Sequence, residues 1–225
     1  MNCTRVKESN QAKIVDRYFD ELSEKWNEKY HTSRFFQQRA SVILSLIDRY
    51  CAKARNTLDY GCGTGFFSEA MARRFTSVVA VDRSPKMREK TQSVLARFPN
   101  ATVTTPDQIV GMHFDFILCS SVIEYIENDL EFLACLGMLL NPRGTLLISF
   151  PHRWGPIQML NRFIVQWFKE DCYTHFQQHT YTKRSIRQMA QRVGLVCVDV
   201  VSEIGFSFFP KLNMGGQIFA ILVKP

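Results

Sequence analysis

Short apolar runs alternate with helix-like stretches through the middle of the sequence. Five runs have the length and apolar content of strands but lack the polar alternation of a half-exposed strand: 56–60, 77–82, 101–105, 114–120 and 144–151. Between them, apolar positions follow helical spacing at 66–75, 85–98 and 129–140. Strands that are buried on both faces and separated by helices are typical of a parallel sheet covered by helices on both sides. The pattern therefore predicts an α/β fold.

Two further segments flank this core. Residues 1–55 are predicted to be helical, because apolar residues recur at helical spacing from Ile14 to Leu22 and from Phe36 to Ile47. After a helix at 183–193, the apolar runs 196–204 and 217–223 are joined by residues 205–216, which have no helical pattern. So short a connection favours antiparallel pairing, since a parallel crossover usually contains a helix. The predicted architecture is a seven-stranded, mostly parallel sheet with an antiparallel last strand.

A single domain over 1–225 is expected, since no repeat, low-complexity tract or flexible linker divides the sequence. Its predicted parts are a helical arm (1–55), a core (56–150), an insertion (151–181) and a closing helix with two strands (182–225). The insertion is rich in aromatic residues and follows the carboxyl end of a strand, where open α/β sheets bind ligands. We therefore interpret it as a lid or a substrate wall.

A glycine-rich turn closes the first predicted strand, where residues 58–65 read LDYGCGTG. Gly61, Gly63 and Gly65 allow a tight turn and a close approach of the backbone to a ligand. Two acidic residues accompany the turn: Asp59 lies within it, and Asp82 ends the next strand. An acid at the tip of the second strand is placed to accept both hydroxyls of an adenosine ribose. The sequence therefore predicts a ligand that contains a nucleoside.

Two other nucleotide motifs do not match this turn. The dinucleotide fingerprint is G-x-G-x-x-G, whereas the spacing here is G-x-G-x-G, with Phe66 and Phe67 where the third glycine would stand. The sequence does not match the motif of a phosphate-binding loop either, because no G-K-[ST] follows the glycines. Among ligands that contain a nucleoside, the remaining candidate is one with adenosine but without a phosphate.

The stretch 58–151 resembles the class I S-adenosylmethionine-dependent methyltransferases, a Rossmann-like family. The resemblance implies S-adenosyl-L-methionine as the cofactor, with the Asp59–Gly65 turn against its methionine part and Asp82 on its ribose. It also implies that Asp107 caps the adenine amino group and that Met87 packs against adenine. From the residues alone, Asp107 could instead cap a short helix, and Met87 could belong to the core.

Further residues complete the cofactor site that the resemblance implies: Cys62, Arg83, Gln108, Cys119 and Ser120. The aromatic pattern of the arm is similar to that of magnesium-protoporphyrin O-methyltransferases. This likeness implies that Tyr18 or Tyr30 contacts the methionine end of the cofactor and that Arg39 pairs with its carboxylate. An amphipathic helix that only packs on the sheet is the alternative.

Methyl transfer needs alignment and a deprotonated acceptor, so any catalytic base should lie at the carboxyl ends of the strands. Glu124 and His152 are the candidate bases and Tyr30 is a further catalytic candidate, although Glu124 could instead anchor its loop and His152 could bond within the lid. Ubiquinone-type O-methyltransferases, which the sequence also resembles, carry E-x-x-E-H where this sequence has Ser121, Glu124 and Tyr125. Since one of these three proposed ligands remains, no metal is predicted.

The resulting prediction is a methyltransferase acting on a small molecule, with oxygen favoured over nitrogen or carbon as the acceptor. A protein that binds S-adenosylmethionine without turnover is the alternative class. The N/D-P-P-Y/F motif of nucleic-acid amino-methyltransferases is absent, so no nucleic-acid substrate is expected. The apolar helix predicted at 158–168 could line an acceptor pocket or touch a membrane surface.

Composition and charge indicate the surface character and the cellular compartment of the protein. The net charge of +7 could attract nucleic acid, an anionic membrane or an acidic small molecule, but the basic residues are spread without a run, which favours a solvated surface. Seven cysteines without a C-x-x-C pair make zinc binding and a disulfide scaffold improbable. The charged first 25 residues lack the apolar core of a signal peptide, so a reducing cytoplasmic setting is expected. The sequence leaves the oligomeric state open.

Overall fold

The computed structural model describes residues 10–26, 28–152, 176–202 and 216–225. Three helices come first, α1 (Asn10–Trp26), α2 (Glu28–Thr32) and α3 (Arg34–Tyr50). The alternation of strands and helices then follows as predicted: β1 (Asn56–Tyr60), α4 (Phe66–Ala72), β2 (Ser77–Val81), α5 (Pro85–Leu95), β3 (Ala101–Thr104), β4 (Phe114–Cys119), α6 (Asp129–Met138) and β5 (Leu140–Pro151). The last elements are α7 (Lys183–Arg192), β6 (Val196–Val201) and β7 (Gln217–Val223).

Two short 3₁₀ helices lie in the loops that leave the strands. Pro106–Ile109 follows β3, and Ile123–Tyr125 follows β4. Both loops lie at the carboxyl ends of parallel strands, where ligands bind in open α/β sheets.

The seven strands form one sheet in the order β3-β2-β1-β4-β5-β7-β6. Neighbouring strands from β3 to β5 are parallel, and β7 pairs antiparallel with both β5 and β6. The predicted architecture, including the antiparallel last strand, is confirmed; that strand lies one position inside the edge rather than at it. The strand order reverses between β1 and β4, which places the binding crevice at their carboxyl ends.

The central strands of the sheet are buried on both faces, which explains their lack of polar alternation, whereas the edge strand β6 leaves Val196 and Val198 exposed. Along β4, Ile117 belongs to the apolar cluster on one face, while Phe116 and Leu118 belong to the cluster on the other. Successive strand residues point to opposite faces, so a strand that is covered on both sides has to be apolar throughout. No helix within the described ranges is both long and apolar enough to span a membrane.

Element ends differ from the predicted ones by a few residues. The strand β5 begins at Leu140 instead of residue 144, because Leu140 pairs with Phe114 across an irregular register. The helix α5 ends at Leu95 instead of residue 98. Cys62, Cys119 and Cys135, predicted to be buried thiols, are buried and free. The predicted lid helix at 158–168 and the phenylalanines at 206, 208 and 209 lie outside the described residues.

Candidate active site

The turn after β1 is made of glycines that the surrounding structure requires. Gly61, Gly63 and Gly65 have φ of 78°, 56° and 86°, a region that side chains with a Cβ rarely adopt. A Cβ at Gly61 would lie 2.2 Å from Cγ2 of Val122, and one at Gly65 would lie 3.1 Å from Cα of Thr91. At both of these positions a glycine is required by contacts inside the protein; the close approach of the backbone to a ligand stays a prediction.

The Asp82 carboxylate faces this glycine turn. Its Oδ2 accepts a hydrogen bond of 2.9 Å from the Gly63 backbone N–H, and its Oδ1 accepts one of 2.9 Å from the Ser84 N–H. Burial raises the pKa of Asp82, and these two N–H groups oppose the rise. A carboxylate has about four acceptor positions, so two remain for a ligand at the crevice.

Asp59 lies beneath the turn and is only 2% exposed. Ser68, in the first turns of α4, donates a hydrogen bond of 2.5 Å to its Oδ2. Burial raises the pKa of Asp59 to about 7, and the nearby charge of Asp82 adds to the rise. The structure therefore places Asp59 where it ties the strand end to α4, and Cys62 is likewise buried in the turn.

Arg39 projects from α3 into the same end of the sheet. It is buried, and its guanidinium donates a hydrogen bond of 2.5 Å to Oγ of Ser120, which directly follows β4. Its Nε has no hydrogen-bond partner among the described residues. A buried guanidinium nitrogen without a partner is costly, so a ligand carboxylate at this point would remove a penalty.

Tyr30 lies in an aromatic cluster close to Arg39. Its ring stacks on Phe66, with a centroid distance of 4.1 Å and an interplanar angle of 7°, and meets Phe36 and Phe67 edge-on. Burial raises the pKa of Tyr30, and the positive charge of Arg39 opposes this rise. The phenol is therefore protonated at neutral pH and can act as a hydrogen-bond donor rather than as a base.

Glu124 lies in the 3₁₀ helix after β4 and is 1% exposed. Burial raises its pKa to about 7, against the lowering effects of its own backbone N–H, the charge of Arg39 and a hydrogen bond from the Ser121 side chain. Its Oε2 has no hydrogen-bond partner among the described residues. Glu124 is therefore a buried carboxyl that can hold or release a proton near neutral pH.

His152 directly follows β5 and is half-buried. Its backbone N–H donates to the carbonyl of Gly216 at 3.2 Å, and the residue forms a β-bridge with Tyr181. The Tyr181 hydroxyl in turn donates to Asp129 at 2.9 Å. His152 thus lies at the carboxyl edge of the sheet, as predicted, and its role as a base stays a prediction.

The helix α1 covers the glycine turn. Nε1 of Trp26 would lie 3.7 Å from a Cβ at Gly63. Phe19 contacts Tyr125 with a centroid distance of 5.4 Å, and Tyr18 contacts Phe176 at 4.9 Å. The arm is therefore placed over the predicted cofactor site.

Several predicted cofactor residues are occupied by local contacts. Arg83 pairs with Asp16 of α1 at 3.0 Å, so its charge is directed to the arm. Gln108 closes a capping box with Thr105, and both Asp107 and Gln108 are exposed. The side chain of Thr105 also bonds to Asp107, which lowers the pKa of that carboxyl.

Met87 and Cys119, two further predicted cofactor residues, are only 2% and 0% exposed, respectively.

Gln217, at the start of β7, is a residue that the sequence analysis missed. Its Nε2 donates to Oγ of Ser121 at 3.1 Å, and its Oε1 has no partner among the described residues. The one signal for it was a polar residue at the start of an otherwise apolar run. Within the described ranges, no group of three or more His, Cys, Asp or Glu side chains could hold a metal ion.

Comparisons with known proteins agree with this geometry. A family model described as a methyltransferase domain matches residues 33–200. The ubiquinone biosynthesis O-methyltransferase, mitochondrial, of Schizosaccharomyces pombe is 31% identical over 144 residues, which cover 59% of this chain but only 53% of that enzyme. The ubiquinone biosynthesis O-methyltransferase of Bartonella quintana is 24% identical over 217 residues, covering 87% of this chain and 86% of that one.

Solved structures share the fold. The magnesium protoporphyrin IX methyltransferase of Synechocystis, with bound S-adenosylhomocysteine, superposes with a TM-score of 0.73 at 19% identity, over 95% of this chain and 100% of that one. An N-methyltransferase from Bradyrhizobium japonicum, in complex with the same compound, gives a TM-score of 0.69 at 16% identity, over 96% and 100%.

Proposed function

Since this chain belongs to the methyltransferase-domain family, whose members use S-adenosylmethionine, we propose that it methylates an oxygen atom of a small-molecule acceptor. One observation carries the choice of oxygen. At the carboxyl end of β4, next to the glycine turn, Glu124 is a buried carboxyl with an open oxygen and a pKa of about 7. Such a group can accept the proton that a hydroxyl loses when it is methylated. Relatives named as O-methyltransferases support the same choice.

The residues present fit S-adenosylmethionine. Asp82 has two acceptor positions left after its bonds to backbone N–H groups, enough for the two hydroxyls of a ribose. The unpartnered Nε of Arg39 offers a donor and a positive charge to the methionine carboxylate. Trp26, above Gly63, would shield the ligand from water. When bound, the cofactor supplies an activated methyl group on a positively charged sulfur.

The role of the chain is then to orient the acceptor and to take its proton. Oε2 of Glu124 would accept the proton of the hydroxyl, so that the carboxylate becomes neutral as the acceptor oxygen bonds to the methyl carbon. The bond between that carbon and the sulfur would break, and its electron pair would stay on the sulfur as a neutral thioether. Near pH 7, a carboxyl with a pKa of about 7 is partly ionised and can do this without a large energy gap. His152 is the second candidate base at this edge.

A cytoplasmic, reducing location is part of the proposal. In the part of the chain that the structure describes, Cys51, Cys62, Cys119, Cys135 and Cys197 are free thiols. Free thiols of this kind fit a compartment that keeps cysteines reduced.

Calorimetric titration with S-adenosylmethionine tests the cofactor site. Asp82→Ala removes two charge-assisted acceptors, so we expect binding to weaken by about 10–100-fold. Asp48→Ala is the matched control, because Asp48 is an exposed carboxylate that pairs with Arg74 away from the site. Equal affinity in Asp82→Ala and the wild type would contradict the placement of the ribose.

Turnover separates the remaining alternatives. The enzyme is incubated with methyl-labelled S-adenosylmethionine and either simple phenols or the corresponding anilines. Labelled methyl ethers from the phenols support transfer to oxygen. Labelled amines would show transfer to nitrogen, and tight binding of S-adenosylmethionine without product would exclude these acceptors and favour a non-catalytic binding protein.

A further inference from the structure

We propose that Gln217 is a further binding residue of the cofactor site, and that its side-chain carbonyl oxygen accepts a hydrogen bond from the ammonium group of S-adenosylmethionine. The proposal rests on the proposed function, because it adds a contact to the same cofactor. Its basis is a pair of buried side chains, Arg39 and Gln217, which are bonded to consecutive residues at the carboxyl end of β4. Each of them keeps one polar atom without a partner among the described residues.

Gln217 reaches the crevice although it belongs to β7. This strand begins beside the carboxyl end of β5, where Gln217 pairs with Pro151. Side chains alternate between the two faces of a strand, so Gln217 shares a face with Phe219 and Ile221, which belong to the apolar cluster beneath α3. Its Nε2 donates to Oγ of Ser121 at 3.1 Å, just beyond the end of β4. The side chain therefore extends from β7 past β5 to the strand end that borders the crevice.

Arg39 reaches the same strand end from α3. Its guanidinium donates to Oγ of Ser120 at 2.5 Å. Ser120 and Ser121 are consecutive, so their Cα atoms lie about 3.8 Å apart. The backbone N–H of Ser121 in turn donates to Oγ of Ser149 on β5 at 2.8 Å, which holds this strand end in place. Arg39 and Gln217 are thus anchored at neighbouring points of one fixed backbone segment.

The two anchored side chains leave one donor and one acceptor unsatisfied. Nε of Arg39 is a donor that carries positive charge, and Oε1 of Gln217 is an acceptor; neither has a hydrogen-bond partner among the described residues. Arg39 is 4% exposed and Gln217 is 9% exposed. Burying such atoms without partners costs free energy, so a ligand that pairs with both would remove that cost.

This donor and this acceptor are complementary to the two charged groups of an amino acid. A carboxylate only accepts hydrogen bonds, and an ammonium group only donates them. With the methionine carboxylate on Arg39, the ammonium group bonded to the same carbon atom needs an acceptor nearby, since burying it unpaired is costly. Oε1 of Gln217, anchored one residue along from the Arg39 contact, supplies that acceptor.

Calorimetric titration with three ligands tests the assignment without any turnover. S-adenosylhomocysteine carries both charged groups, a deamino analogue has hydrogen in place of the ammonium group, and a decarboxy analogue has hydrogen in place of the carboxylate. Gln217→Met keeps the length of the side chain and removes the carbonyl oxygen. Gln178→Met is the matched control, because it makes the same change at a glutamine whose Nε2 donates to the Tyr125 carbonyl at 3.4 Å.

We expect the wild type to bind the deamino analogue about 10–100-fold more weakly than S-adenosylhomocysteine, the size of one hydrogen bond to a charged group. Gln217→Met should weaken S-adenosylhomocysteine and the decarboxy analogue by a similar factor, because both carry the ammonium group. The same variant should bind the deamino analogue within about twofold of the wild type, which also shows that it is folded. Gln178→Met should match the wild type with all three ligands.

An equal loss of affinity for S-adenosylhomocysteine and for the deamino analogue in Gln217→Met overturns the assignment, because that result describes a structural defect or a contact with another part of the ligand. So does an unchanged affinity for S-adenosylhomocysteine, which would assign the ammonium group to another acceptor, such as the buried Oγ1 of Thr64 in the glycine turn. A wild type that binds none of the three ligands refutes the proposed function itself, so the two failures are distinguishable.

Discussion

Two carboxyls in the site share a pKa raised to about 7 and differ in how they are satisfied. Asp59 is bonded to Ser68 and buried beneath the glycine turn, whereas Glu124 keeps an open oxygen. A buried carboxyl with a partner holds elements together, and one with an open oxygen can exchange a proton with a ligand. This difference is the reason for assigning a structural role to Asp59 and for proposing a chemical role for Glu124.

The pKa of Asp59 predicts how stability depends on pH. Its pKa is about 7 when folded and about 4 when unfolded, so between these values the folded state binds the extra proton. The free energy of unfolding should therefore fall as pH rises from about 4 to about 7, and then level off. In Asp59→Asn, the fall measured by urea denaturation should be smaller by roughly 1–3 kcal/mol. Parallel curves for the variant and the wild type would contradict the prediction.

A second prediction at the scale of single residues concerns the effect of Gly61→Ala on stability. Gly61→Ala and Gly111→Ala both place a Cβ at positive φ, but a Cβ at Gly111 meets nothing within 4 Å, whereas at Gly61 it meets Val122 at 2.2 Å. We expect Gly61→Ala to cost about 1–3 kcal/mol more than Gly111→Ala in the free energy of unfolding. Adding Val122→Ala should recover part of that difference; a double variant no more stable than Gly61→Ala would argue against the clash.

At the scale of elements, α1 is fastened by one acidic face. Asp16, Asp20 and Glu24 recur every four residues, so they share a face of the helix. They contact Arg83, Ser84 and Lys90, which lie on or just before α5. The Lys90–Glu24 pair is exposed and the Arg83–Asp16 pair is half-buried, and exposed ion pairs are weak one by one.

The fastening of α1 is testable by hydrogen exchange. Asp20→Asn weakens the contact with Ser84, and we expect the amides of residues 10–26 to exchange about 2–5-fold faster, as the loss of about 0.5–1 kcal/mol implies. Glu21→Gln is the control, because Glu21 lies on the same helix and is exposed. Equal exchange in the two variants would show that α1 is held by its aromatic contacts alone.

The order of helices and strands could be predicted because it depends on local pattern. Strand β1 has the predicted bounds, and the orientation of Asp82 toward Gly63 follows from parallel strands ending at one edge. Arg83 shows the limit: its partner, Asp16, lies 67 residues away on a helix whose position depends on tertiary packing. Gln217 was missed for the same reason, since its contact with Ser121 spans 96 residues.

At the scale of the whole molecule, ligand binding should couple to global stability. A ligand that binds only the folded state stabilises it by about 2.7 kcal/mol when present at a hundred times its Kd. For a chain of 225 residues, this corresponds to a rise in Tm of roughly 5–10 °C. Differential scanning fluorimetry with S-adenosylhomocysteine should show this rise in the wild type and at most about half of it in Asp82→Ala. A shift of the same size in both would place the ligand elsewhere.

The position of β7 has a consequence for folding during translation. Because β7 fills the gap between β5 and β6, a nascent polypeptide that has left the ribosome only as far as Ser202 exposes the outer edge of β5 from Thr145 to Pro151. An unpaired apolar edge of that length is a template for pairing with other copies. During translation this protein is therefore prone to aggregation until β7 is synthesised and pairs with β5, and binding of a chaperone in this period would reduce that risk.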